Sequence, residues 1–266
     1  MKCEQIMLDE NTRLDTYISD KNGWYTRKAI LVIPGGGYEA VSNDCEGEAV
    51  GQAFVPYGFN FFVLQYSVDR THSYPYQLIQ ASMAMKFIRD HAEEYGIDPE
   101  EIYVVGFSAG AHLCGCLGIQ WNKQEIYDAL PMPAGYHKPK GILMIYPVVS
   151  GVSEYTHKGS FQNLFCSVSP TKEQLEMASL ELHVTKDAVP VYMVHGAADI
   201  YVPVENALLL ANAYSKAQVP FELHIYPKES HAFGLGNHIT NQWADSDAPE
   251  GVRDWVKNAI TWMKTL

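Results

Sequence analysis

The chain has 266 residues, 47% hydrophobic and 19% charged, an ordinary globular composition with ample material for a core. Its net charge of −12 argues against a nucleic-acid partner or binding to an anionic membrane, because no Lys/Arg cluster offsets it. No apolar run reaches the roughly 18 residues that a membrane-spanning helix needs. The opening Met1-Lys-Cys-Glu-Gln5 lacks a basic-then-apolar leader, so the reading of location is cytoplasmic. Residues 1–22 alternate loosely (Ile6, Leu8, Leu14, Tyr17, Ile18), which predicts one or two edge strands ending at an Asn22-Gly23 turn. Residues 29–33 are a continuous apolar run closed by Pro34 and three glycines, the pattern of a strand buried on both faces.

Asn43-Asp44 is placed to cap a helix over about 45–57, with Glu46 and Glu48 in its first turn. Phe59 to Tyr66 reads as another apolar strand. Pro75 opens a helix to about Tyr95, which Gly96 stops. Ile102 to Val105 then reads as a buried strand leading into helical character from Ala111 to Cys114. Gly141 to Tyr146, Val189 to His195 and Phe221 to Tyr226 are further strands. A helix is predicted from Pro203 to about Ala217, and a last one from about Pro249 carries Trp255, Val256, Ala259, Ile260 and Met263 on one stripe. Strands alternating with helices predict an α/β fold, a mostly parallel sheet covered on both faces. No repeat or linker divides residues 1–266, so a single domain is expected. The segment 150–187 breaks the alternation and is read as a short cap insertion with one helix from Thr171 to Leu182.

The chemistry begins at residues 106–110, Gly-Phe-Ser-Ala-Gly, which fit G-x-S-x-G between a strand and a helix. A serine on so tight a turn is strained, and the flanking glycines let strand and helix approach closely. The turn lifts the Ser108 hydroxyl out of the sheet edge and aims the helix's first free N–H groups at the same point. A serine hydroxyl needs a base, and the base an orienting carboxylate. Asp199 lies on a loop just past the strand 189–195, and His231 lies on a loop just past the strand 221–226. The order Ser108, Asp199, His231, with one strand–helix unit between acid and base, brings all three to one edge of the sheet. Asp187 is a rival acid with a weaker position before its strand. His195 and His224 lie within strands, where a packing role is expected. His112 shares a helical face with Ser108, where it either lines the site or binds backbone.

Acyl transfer also needs N–H donors aimed at the developing oxyanion. The loop Pro34-Gly-Gly-Gly-Tyr38 supplies Gly36 and Gly37, and the elbow supplies Ala109. Residues 35–40 also satisfy G-x-G-x-x-A, the dinucleotide fingerprint. The next strand ends without a carboxylate, and the better helix cap comes later, so that reading is set aside. Tyr38 and Phe107 flank the oxyanion site and are expected to bind substrate, with Tyr66, Trp121 or Phe233 as further walls. The five cysteines (Cys3, Cys45, Cys114, Cys116, Cys166) include a C-x-C but no C-x-x-C and no accompanying Cys/His pair. They read as reduced packing residues, so no metal is expected.

Together these residues make the chain similar to α/β-hydrolase esterases with a His-Gly-Gly-Gly-type oxyanion loop, in particular acetyl esterases and acetylxylan esterases. The matching stretches are 33–40, 95–100, 106–110, 195–203, 223–227 and 231–235, in family order over most of the chain. The resemblance implies the triad Ser108, Asp199, His231 and deacetylation of small or sugar-linked esters without a cofactor. Two departures stand out: Pro34 replaces the loop's leading histidine, and Glu229 sits where related chains often carry glycine. The partner expected is a small-molecule ester such as an acetylated xylo-oligosaccharide, not nucleic acid or membrane; a homodimer is left open. The alternatives are a prolyl-oligopeptidase-like serine peptidase, whose usual gating domain has no room here, and a catalytically silent binding protein of the same fold.

Overall fold

The computed structural model describes residues 1–21, 23–241 and 246–266. Asn22 of the predicted turn lies outside the described residues. The strands are β1 (Lys2–Met7), β2 (Arg13–Ile18), β3 (Arg27–Ile33), β4 (Phe59–Gln65), β5 (Ile97–Phe107), β6 (Gly141–Ile145), β7 (Val191–Gly196) and β8 (Phe221–Tyr226). Among the described residues they form a sheet of order β1-β2-β4-β3-β5-β6-β7-β8. The pairs β1/β2 and β2/β4 are antiparallel and the remainder parallel. Of the one or two edge strands expected, β1 is at the edge and β2 lies between β1 and β4.

The helices are α1 (Asn43–Glu46), α2 (Glu48–Phe54), α3 (Tyr76–Asp90), α4 (Ala92–Tyr95), α5 (Ser108–Ile119), α6 (Gln124–Ala129), α7 (Lys158–Leu164), α8 (Lys172–Ala178), α9 (Glu205–Ala217), α10 (Glu250–Arg253) and α11 (Trp255–Met263). The continuous apolar run in β3 is explained by two cores. Ala29, Leu31 and Ile33 face one formed with α3, α5 and α9; Ile30 and Val32 face another formed with α2 and α11.

Several predicted helices are divided. The helix expected over 45–57 breaks at Gly47 (φ −99°, ψ −111°), and Asn43-Asp44 belong to α1 instead of capping it. The helix expected to Tyr95 breaks at His91, and Gly96 ends α4 with φ 64°. In the 150–187 segment, Thr171 and Gln174 form a capping box that opens α8. The same segment contains α7, which the sequence pattern did not announce, because its N-cap is His157 and not Ser, Thr, Asp or Asn.

Register places the site. Ile33 pairs with Gly106, Phe107 with Ile145, and Gly196 with Tyr226. The parallel strands therefore end together, and the loops after β3, β5, β7 and β8 open on one rim, where ligands of such sheets bind.

Candidate active site

Ser108 is the first residue of α5 and holds φ 51°, a left-handed backbone that a side chain rarely adopts. The flanking glycines are sterically required. A Cβ on Gly106 would lie 2.3 Å from the Gly110 carbonyl oxygen, and one on Gly110 would lie 2.2 Å from that of Ile33. The strain thus follows from β5 and α5 packing backbone to backbone, with Ser108 at the crossing. The amide of Ala109, in the first turn of α5, has no intrahelical acceptor.

His231 Nε2 lies 2.8 Å from Ser108 Oγ, and His231 Nδ1 lies 2.6 Å from Asp199 Oδ2. A carboxylate only accepts, so Nδ1 carries the proton and Nε2 is free to accept from the serine hydroxyl. The other Asp199 oxygen accepts the amides of Tyr201 at 3.0 Å and Val202 at 2.9 Å, which locks the acid on its loop. Burial raises the Asp199 carboxyl, but hydrogen bonds from His195 and His231 outweigh it and hold the group below the usual carboxylate range. The loops that carry Asp199 and His231 touch through backbone: the Ala198 amide donates to the Glu229 carbonyl at 3.1 Å. Glu229 therefore meets the Asp199 loop through its main chain.

Gly36 (φ 113°) and Gly37 (φ 66°) turn the loop after β3. A Cβ on Gly36 would sit 2.2 Å from the Ala40 carbonyl oxygen, so only glycine fits. Among the described residues, neither amide donates to a protein acceptor. The loop is anchored on both sides: Tyr66 Oη donates to the Pro34 carbonyl at 2.8 Å, and the Gly35 amide donates to Glu46 Oε2 at 2.7 Å. Tyr66, expected as a wall, thus holds the loop from beneath at the position where related chains carry histidine.

The two aromatics expected to bind substrate have buried rings, at 2% exposure for Tyr38 and 0% for Phe107. Phe107 points into the second core against Tyr146 and Trp255, since alternation along β5 turns it away from the Ser108 side. Tyr38 bonds His112 Nδ1 at 2.8 Å. His112 Nε2 donates to the Ala178 carbonyl at 2.7 Å, so of the two readings for His112 the backbone bond is the one observed. Phe233 is also buried, whereas Trp121 lies beyond the far end of α5 and bonds the Asp187 carbonyl. Asp187 itself is exposed in the loop before β7, at the end of the sheet away from Ser108. His195 is buried with Nε2 2.9 Å from the Val202 carbonyl and 3.4 Å from Asp199 Oδ2. His224 pairs with Glu222 at 2.6 Å.

Sequence reasoning missed five residues around this site. Tyr201 is 64% exposed, and its ring centroid lies 6.3 Å from that of His231. His157 comes from the 150–187 segment, and Asn163 of the same segment donates to the Gly37 carbonyl at 2.9 Å. Burial, then the charge of His231, lowers the His157 imidazole. Glu46 and Tyr146 are buried behind the serine. The one available signal was position: Tyr146 directly follows a strand ending on this rim. Among the described residues no group of His, Cys, Asp or Glu is arranged to hold a metal, and no helix is long and apolar enough to cross a membrane.

Comparison with known proteins accords with this geometry. A model of the BD-FAE family matches residues 14–214, and one of the dienelactone hydrolase family matches residues 175–265. The chain is 37% identical over 215 residues to endo-1,4-beta-xylanase B of Butyrivibrio fibrisolvens, covering 79% of this chain and 33% of that protein. It is 27% identical over 219 residues to an acetylxylan esterase of Xylanibacter ruminicola, covering 79% of this chain and 42% of that one. The chain thus spans between a third and a half of these relatives. A solved acetyl ester-xyloside bifunctional hydrolase from Caldicellulosiruptor lactoaceticus superposes with a TM-score of 0.84 at 30% identity, covering 98% of this chain and 96% of the other. The fold is that of the α/β hydrolases.

Proposed function

The chain belongs to the BD-FAE family, and from that premise we propose that it is a serine carboxylesterase removing short acyl groups, acetyl above all, from sugars such as xylo-oligosaccharides. The observation that carries the reading is the continuous relay from Ser108 Oγ through His231 to Asp199, at 2.8 Å and 2.6 Å. The names of the acetylxylan esterase and the acetyl ester-xyloside hydrolase support the substrate class.

In this mechanism Ser108 Oγ attacks the ester carbonyl carbon as His231 Nε2 takes the hydroxyl proton. The carbonyl π pair moves onto oxygen, where the amides of Gly36, Gly37 and Ala109 receive it. Asp199 stabilises the imidazolium without taking its proton. Collapse of the tetrahedral adduct breaks the bond to the alcohol, which leaves with the proton from His231. Water then repeats the sequence on the acyl-enzyme: His231 removes its proton, the acid departs and Ser108 is regenerated. Residues 150–187 act as a cap within a single domain, and Tyr38 and Phe107 shape the site from within the core.

The test compares p-nitrophenyl acetate, butyrate and octanoate, together with acetate release from acetylated xylo-oligosaccharides. Acetate is expected to be turned over fastest, and Ser108→Ala is expected to be inactive and unlabelled by a fluorophosphonate. Undiminished turnover by that variant removes the mechanism; preference for octanoate removes the acyl assignment.

A further inference from the structure

Glu46 is a carboxylate at 4% exposure whose oxygens, among the described residues, bond the Gly35 amide and the Tyr146 hydroxyl and no cationic side chain, in a position the proposed chemistry does not use. Burial pushes its carboxyl up, against the lowering effect of two hydrogen bonds. Burying such a group costs stability unless its bonds are well made. Both of them are. Oε2 accepts the Gly35 amide at 2.7 Å, and Oε1 accepts the Tyr146 hydroxyl at 2.7 Å.

Tyr146 carries the connection onward. Its oxygen accepts the Gly234 amide at 3.1 Å, and its ring meets that of His231 edge-on at 4.9 Å. Trp255 Nε1 donates to the Gly234 carbonyl at 3.0 Å and fixes the same turn from the helix side. Tyr146 also holds φ 39°, an unfavourable backbone for a bulky residue. A buried carboxyl group and a strained aromatic, far apart in sequence, thus meet in one bond. The chain Gly35–Glu46–Tyr146–Gly234 runs behind Ser108; a Cβ on Gly35 would lie 2.8 Å from Glu46 Oε2 and 2.9 Å from the Ser108 Cβ. One end is next to the oxyanion glycines and the other is three residues past His231.

We infer that Glu46 and Tyr146 are positioning residues that hold the oxyanion loop and the His231 loop at a fixed separation around Ser108. The inference rests on the esterase reading of the site. Neither side chain is assigned a contact with the ester. Their effect falls on the transition state, where the negative charge on oxygen and the positive charge on the imidazole develop together. Ground-state ester binding does not use that alignment.

The experiment measures kcat and KM for p-nitrophenyl acetate in wild type, Glu46→Gln, Tyr146→Phe and the double variant, with circular dichroism and thermal unfolding to verify folding. Glu46→Gln keeps the volume but replaces one acceptor oxygen with a donor. Tyr146→Phe keeps the ring against His231 and removes the hydroxyl. Each single variant is expected to lose about 10- to 100-fold in kcat, with KM within about threefold of wild type. Because the two act as one unit, the double variant should fall no more than about threefold below the worse single variant. Folded variants with wild-type kcat, losses confined to KM, or losses that multiply in the double variant overturn the inference while leaving the esterase reading intact. Should Glu46→Gln fail to fold, Tyr146→Phe decides alone by the kcat and KM criteria. A wild-type protein without turnover, or a Ser108→Ala variant as active as wild type, defeats the esterase reading and this inference with it.

Discussion

Tyr38 donates its hydroxyl to His112 Nδ1 across 2.8 Å, joining the glycine loop after β3 to the helix that begins at Ser108. The other ring nitrogen donates to the Ala178 carbonyl, so the 150–187 segment is fastened at the same point. Burial lowers the imidazole to about 4, and the neutral ring is the folded form. For a histidine depressed on folding, the unfolded chain binds the extra proton between the two values. Its contribution to stability is therefore present above the unfolded value and is lost as pH falls toward 4. Wild type should lose on the order of 2 kcal/mol from this group between pH 7 and pH 5. Urea denaturation should show His112→Gln to be less stable at pH 7 but with a flatter acid dependence; equal slopes would remove the assignment.

Ser108 keeps a Cβ at φ 51°, so its two simplest replacements should separate strain from chemistry. Ser108→Ala and Ser108→Gly both remove the hydroxyl, and both should be inactive. Only glycine relieves the backbone, a gain of about 1–2 kcal/mol, partly offset by about 0.5–1 kcal/mol of extra unfolded-state entropy. Ser108→Gly should therefore unfold at higher denaturant than Ser108→Ala, by up to about 1 kcal/mol. The reverse order would mean that the elbow is not strained.

The apolar runs at 29–33 and 102–105 were legible as doubly buried strands because both faces of the sheet are covered. Ser108, Asp199 and His231 stood out by lying just past strand ends, and parallel register carries such positions to one rim whatever the loops do. Other features had no local signature. Glu46 reads as a first-turn acid until Gly47 breaks the helix and Tyr146, 100 residues away, takes up its carboxylate. Phe107 directly precedes Ser108 and Tyr38 directly follows the loop glycines, yet strand alternation and a left-handed turn (φ 57° at Tyr38) send their rings inward. The break at His91 and the interior place of β2 are likewise tertiary outcomes.

Tyr201 is an aromatic at the rim with surface to offer, at 64% exposure beside His231. Stacking against a sugar ring would act on the alcohol side of a substrate and leave a small aryl acetate less affected. Tyr201→Ala is expected to raise KM for an acetylated xylo-oligosaccharide by about three- to tenfold, a loss of roughly 0.5–1.5 kcal/mol for an aromatic contact. The KM for p-nitrophenyl acetate should stay within about twofold. Equal changes for both substrates would place Tyr201 outside alcohol recognition.

Asp199→Asn isolates the tautomer argument, because the two oxygens of this carboxylate have separate partners. Oδ1 serves the amides of Tyr201 and Val202, and an asparagine oxygen can keep both bonds and hold the loop. The amide nitrogen then replaces Oδ2 opposite His231 Nδ1. Two donors cannot face each other, so the imidazole moves its proton to Nε2 and points an N–H at Ser108. A base protonated on that nitrogen cannot accept from the serine, and kcat should fall about 10⁴-fold with the fold retained. Stability supplies a second readout with its own sign. Burial raises the carboxyl, but its hydrogen bonds hold the folded value below the ordinary one, so its contribution is present above the ordinary value and is lost as pH falls below it. Denaturation midpoints below about pH 4 should therefore fall less steeply in Asp199→Asn than in wild type. A variant retaining more than about a tenth of wild-type kcat would show that His231 does not need this carboxylate to choose its tautomer.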